Sequence, residues 1–154
     1  YSKIKFIMKF CTGVKVTYMN ENYKFQSKKI TNIVFYSLIL LGALLTILRW
    51  ISAFNSRIMV INEEINSHIS NLSLSLIVYI AIGFTWTLQG LKFKKVVVLG
   101  IIIMIANILC ETVMGFMNTP DIIDAVYGVI GTIIGFCFLA LSKRYGLNII
   151  QKTD

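Results

Sequence analysis

The sequence predicts an all-α fold: an integral membrane bundle of four transmembrane helices with its N- and C-termini cytoplasmic. Three observations predict it. The chain of 154 residues is 56% hydrophobic and 14% charged, with a mean hydropathy of +0.76. A soluble domain is about 45–50% apolar and about 25% charged. The apolar residues also gather into four runs near the ~20 residues that a helix needs to cross a hydrocarbon core. Finally, the lysines and arginines fall mainly in segments that an even number of spans places on one side, which orients that side to the cytoplasm. A soluble four-helix bundle would need a polar outward face on every helix, and no run has one.

Residues 1–29 form a basic cytoplasmic segment with seven lysines. Three local readings stand side by side. Ile4, Ile7, Met8, Cys11 and Val14 recur at helical spacing, as in an interfacial amphipathic helix. Val14, Val16 and Tyr18 alternate with Lys15 and Thr17, and "NEN" then leads into "YKFQ" as a hairpin. A loosely ordered basic tail on lipid headgroups is the third. Lys9 and Lys15 interrupt any signal-peptide core.

The spans follow over residues 30–141. The first is "ITNIVFYSLILLGALLTIL" (30–48) and the second "ISNLSLSLIVYIAIGFTWTL" (69–88), diluted by its early serines and Asn71. The third is "VVVLGIIIMIANILCETVMGFM" (96–117) and the fourth "IIDAVYGVIGTIIGFCFLAL" (122–141). The link "QGLKFKK" adds three lysines, and the basic tail, residues 142–154, adds Lys143, Arg144 and Lys152. Thirteen of the fifteen cations therefore share one side. Only Arg49 and Arg57 fall on the other, opposite Glu63 and Glu64. The net charge of +8 is an orientation and anionic-lipid signal. It is not a nucleic-acid signal, because no basic–aromatic stacking module accompanies it.

Cys11, Cys110 and Cys137 are odd in number and contain no CxxC. No disulfide framework, zinc site or other metal site is expected, nor any cofactor. The two later cysteines sit in apolar runs, where cysteine acts as a small hydrophobe.

Polar and small residues inside the spans align on single helical faces. On span two these are His68, Asn71, Ser75, Tyr79 and Gly83; on span three, Gly100, Met104, Asn107, Glu111 and Gly115; on span four, Asp124, Gly128, Gly131 and Gly135. "GTIIG" has the small-xxx-small spacing that lets helix backbones approach. An ionisable group in a bilayer faces the bundle interior or a wet cavity. The three stripes are therefore expected to face one another, with Gly83, Gly128, Gly131 and Gly135 as packing residues. Glu111, Asp121 and Asp124 are expected at the outer mouth, near a loop histidine, His68. Asp121 is also placed to cap the fourth helix, and Asp124 to favour its dipole. The expected ligand-binding set is Glu111, Asp124, Asp121, Asn107, Tyr79, Ser75 and His68, with no catalytic residue assigned.

Over residues 69–141 the chain resembles the VanZ-like family of small bacterial membrane proteins. Members show His-x3-Tyr-x3-Gly on one helix, Glu-x2-Gln on the next, then an Arg ahead of Asp-x3-Asn-x2-Gly-x3-Gly. Here "SLIVYIAIG" keeps Tyr79 and Gly83, with Ser75 at the histidine position. "ETVM" keeps Glu111, with Met114 for glutamine. "NTPDIIDAVYGVIGTIIG" keeps Asp124, Gly131 and Gly135, with Asn118 near the arginine position and Gly128 for asparagine. The resemblance implies a multi-pass protein of the bacterial cytoplasmic membrane, linked to resistance to glycopeptide antibiotics such as teicoplanin. With no nucleophile–base pair or HExxH, GxSxG or paired-Asp metal motif in the sequence, the leading expectation is a non-enzymatic envelope protein. Its outer acidic pocket would hold a polar or cationic group of a lipid-linked envelope precursor, an antimicrobial compound or another membrane protein, besides membrane lipid itself. The alternatives are an intramembrane enzyme acting on a lipid-linked substrate and a cation- or proton-conducting oligomer.

Overall fold

The computed structural model describes residues 24–54, 62–112 and 121–150. Strand β1 (Phe25–Ser27) leads into helices α1 (Lys29–Phe54), α2 (Glu63–Leu88), α3 (Phe93–Thr112) and α4 (Ile122–Tyr145), and strand β2 (Leu147–Ile149) follows. All four helices are long and apolar enough to cross a membrane. The expected all-α architecture is present, with one small sheet added.

The helices run up and down. α2 is central: it packs most extensively against α4 and also meets α1 and α3. Within their most apolar stretches, α2 is 44% and α4 39% buried, against 11% for α1 and for α3. Large apolar side chains point outward on all four, as with Leu40, Val78, Ile102 and Ile133. The buried core lies between α2, α3 and α4 around Leu76, Tyr79, Ile80, Phe84, Val96, Phe138 and Leu139. α1 closes one flank of it by stacking Phe35 on Phe84, with ring centroids 4.7 Å apart.

Every helix differs from its expected span at one end or both. α1 extends to Phe54, six residues past the expected end. Its apolar run stops at Arg49, but the helical backbone continues through Trp50 and Ile51, and Ser52 bonds back to the Arg49 carbonyl at 2.7 Å. α2 begins at Glu63 rather than at residue 69. Asn62 caps it by accepting the Ile65 N–H at 2.8 Å, and Glu63 and Glu64 favour the helix dipole. α3 begins at Phe93, and its described part ends at Thr112. Residues 113–117 of the expected span, with Met114, Gly115 and Asn118, lie outside the described residues. α4 runs on to Tyr145, so residues 142–145 belong to the helix and not to a tail.

The lysine-rich end is tied together by backbone bonds. β1 pairs antiparallel with β2, Phe25 opposite Ile149 and Ser27 opposite Leu147. Phe25 and Gln26 of "YKFQ" thus lie in a strand that pairs with Leu147–Ile149. Residues 1–23, where the amphipathic helix, the hairpin arm and the loose tail were expected, lie outside the described residues. Lys24 N–H donates to Leu88 O at 3.1 Å and Lys28 N–H to Gly146 O at 2.8 Å. The turn into α3 is a Schellman motif: Leu91 N–H reaches Trp86 O, and Gly90 N–H reaches Thr87 O. Gly90 stands at φ +75, which glycine adopts without steric cost.

The described charges separate by end. Glu63, Glu64, Glu111, Asp121 and Asp124 cluster where α1 leads to α2 and α3 to α4. All described cations except Arg49 occupy the opposite end.

Candidate functional site

The predicted stripes meet inside the bundle, but they divide into levels. At the lysine-side level, Tyr79 is fully buried and its hydroxyl donates to Val96 O at 3.0 Å. Its ring fits between two glycines: a Cβ at Gly100 would lie 2.8 Å from the Tyr79 hydroxyl, and one at Gly135 2.9 Å from Cδ1. Gly83 in turn makes room for Leu139, and Gly131 for the Leu72 carbonyl. Each of these glycines admits a close neighbour. Tyr79→Phe is expected to cost about 1 kcal/mol, one buried hydrogen bond, with the fold intact. Thermal unfolding in detergent, followed by circular dichroism, checks this.

The middle level holds one amide–hydroxyl pair. The Ser75 hydroxyl donates to Asn107 Oδ1 at 3.2 Å and accepts from Nδ2 at 3.0 Å. The same Nδ2 donates to Ile103 O at 2.9 Å. A Cβ at Gly128 would collide with the Asn107 amide. The space beside Gly128 is filled from α3 by Asn107.

The acidic level is built from α2 and α4. Asp121 and Asp124 stand three residues apart, so they share one face at the start of α4. Asp121 Oδ1 caps the helix by accepting Ile123 N–H at 2.9 Å, which leaves Oδ2 directed to the bundle, 3.8 Å from His68 Nδ1. Asp124 Oδ1 lies 2.9 Å from the same nitrogen. His68 is not in a loop. It occupies the second turn of α2, is 7% exposed, and packs beside the Tyr127 ring. Five polar residues among 63–68, interrupted only by Ile65, dilute the apolar run, which is why hydropathy alone starts the helix too late. Asn62 followed by Glu63 and Glu64 is the sequence signal that marks the true start.

With an ionised carboxylate as acceptor, His68 Nδ1 carries the hydrogen. In the neutral ring Nε2 then keeps its lone pair, an assignment made from the partner and not from a seen hydrogen. His68, Asp121 and Asp124 each offer one donor atom, all within 4.8 Å of one another. That spacing suits one small cation or ammonium group once Nδ1 gives up its hydrogen. If the site held a metal, these three residues would be its ligands.

Glu111 is buried in the last turn of α3 and does not join that three-residue group. Antiparallel register places it near the same level: Asn107 lies against Gly128, so one turn on, Glu111 comes level with Asp124. Ser75 and Tyr79 stand apart. They lie seven and eleven residues along α2 from His68, roughly 10 and 16 Å at ~1.5 Å per residue. The expected seven-residue set is therefore a polar column with a compact cluster at one end, and His68, not Glu111, is its centre.

These features define a class: an all-helical protein with four helices long and apolar enough to cross a membrane and a half-buried His–Asp–Asp cluster at one end. No family model matches this chain, no curated protein matches it, and no solved structure matches it.

Proposed function

We infer that the chain is a VanZ-like multi-pass protein of the bacterial cytoplasmic membrane that works by binding and not by catalysis. Its termini lie in the cytoplasm, and its acidic end opens to the outside. There Asp121, Asp124 and Glu111, with His68, receive a cationic or polar group of a lipid-linked envelope precursor, an antimicrobial compound or a partner helix. Such a role links the protein to glycopeptide resistance. The observation that carries this reading is the pairing of buried His68 with Asp124 at 2.9 Å, beside Asp121, at the end opposite the lysines. Burial makes ionisable groups costly, and function is a common reason to keep them there. Asn107 and Ser75 below the cluster would fix the depth to which a ligand descends.

In a strain whose deletion raises teicoplanin susceptibility, Glu111→Gln and Asp124→Asn should both resemble the deletion at matched membrane levels. If both restore resistance like the parent, the pocket is not the working part.

One observation favours a second reading, an intramembrane enzyme. A histidine oriented by a carboxylate is the base half of many hydrolytic sites, and His68–Asp124 has that form. Purified protein would then convert a lipid-linked diphosphate, and His68→Gln would stop it. Binding without turnover eliminates that reading.

A further inference from the structure

The lysine-rich end carries a second feature, separate from the acidic cluster. Where α2 hands over to α3 lies an open groove of about 430 Å³. Lys92, Lys94, Lys95, Trp86, Val98 and Ile102 are among the residues that line it. Val98 and Ile102 are 45% and 57% exposed and lie one turn apart, so they continue an apolar track along α3. The three lysines are exposed, and among the described residues none pairs with a carboxylate. The first turn of α3 contains no acid, so three positive charges crowd the positive end of a helix dipole. An anion between them relieves that repulsion.

Each part of the groove matches part of one ligand class. Indole rings favour the membrane–water interface. Lysine stems cover apolar surface while their ammonium groups reach outward. A free phosphate would leave the apolar track uncovered, whereas an acyl chain covers it. We propose that this groove binds one anionic diacyl phospholipid, its phosphate between Lys92, Lys94 and Lys95 and an acyl chain along Val98 and Ile102. The proposal rests on membrane insertion, part of the functional reading above, and not on the acidic cluster.

The test uses full-length protein in vesicles and the fluorescence of Trp86 alone, in a Trp50→Phe background. Brominated phosphatidylglycerol in a phosphatidylcholine bilayer is compared with brominated phosphatidylcholine at equal mole fraction in an otherwise matched bilayer. Phosphatidylglycerol should be the stronger local partner by about fivefold or more, the factor that one lysine's attraction to an anionic surface supplies. Lys92→Gln/Lys94→Gln/Lys95→Gln should bring the two lipids to parity. Lys29→Gln/Lys143→Gln/Arg144→Gln, which removes as many charges from the same end, should keep the preference. Inorganic phosphate should not compete. Equal quenching in the parent, a preference that survives the first triple substitution, or one lost equally in the second overturns the site. Trp50, observed in a Trp86→Phe background, reports insertion: if neither lipid quenches it, insertion fails and the site with it. If Trp50 is quenched and Trp86 shows no preference, the groove alone is refuted.

Discussion

Gly131→Ala is expected to destabilise the bundle by about 1–3 kcal/mol, although alanine is by propensity the better helix residue by about 1 kcal/mol. The reason is what the added methyl group meets. At Gly131 it runs into the Leu72 carbonyl, backbone of the neighbouring helix. A backbone atom cannot rotate aside, so α2 and α4 must separate, and theirs is the most extensive interface in the protein. Gly42→Ala supplies the contrast. There the new methyl meets the Ile77 side chain at 2.9 Å, which can change rotamer, with the nearest backbone atom at 3.6 Å. Unfolding both variants by titrating a denaturing detergent into purified protein should show a large loss for Gly131→Ala and a small change of either sign for Gly42→Ala. Equal stabilities would mean that the two helices are not in backbone contact at this point.

The second large effect is expected at His68–Asp124. Removing one partner leaves a polar group buried without its bond, which costs about 1.5–3 kcal/mol when the pair is charge-assisted. Asp124→Leu should incur that cost. Asp124→Asn should incur less, because an amide oxygen still accepts from His68 Nδ1, and the contrast separates the hydrogen bond from the charge. The double variant His68→Phe/Asp124→Leu should be more stable than the sum of its single changes predicts, since it removes both polar groups together. A double-mutant cycle measures the coupling. A coupling near zero would show that the 2.9 Å contact contributes nothing to stability and that its residues are held in place by packing alone.

How far this molecule is legible from its residues depends on the scale of the physics involved. Four apolar runs near the span of a bilayer announce four helices, because burying that many backbone groups in hydrocarbon leaves few alternatives. The facing stripes were legible for the same reason: a residue every three or four positions marks one side of a helix, and polar or small groups avoid lipid. Asp121 as a cap was legible from its place just ahead of the apolar run, and its Oδ1 does bond Ile123 N–H. The start of α2 was less so. Hydropathy averages over a window, whereas a helix begins where an Asn side chain satisfies a free N–H, as Asn62 does.

The sequence by itself determined the class of this protein, its four helices and the faces they turn inward, since these follow from periodicity and the cost of polar groups in an apolar medium. Tertiary structure alone decided the partners. Asn107 fills the space left by Gly128, His68 takes Asp124 rather than Glu111, and Phe25–Ser27 pairs with Leu147–Ile149, which is distant in the sequence but at the same end of the bundle. Each of these depends on the relative rotation and register of helices distant in sequence. No local pattern encodes that register, because it is set by which side chains can occupy the same few ångströms.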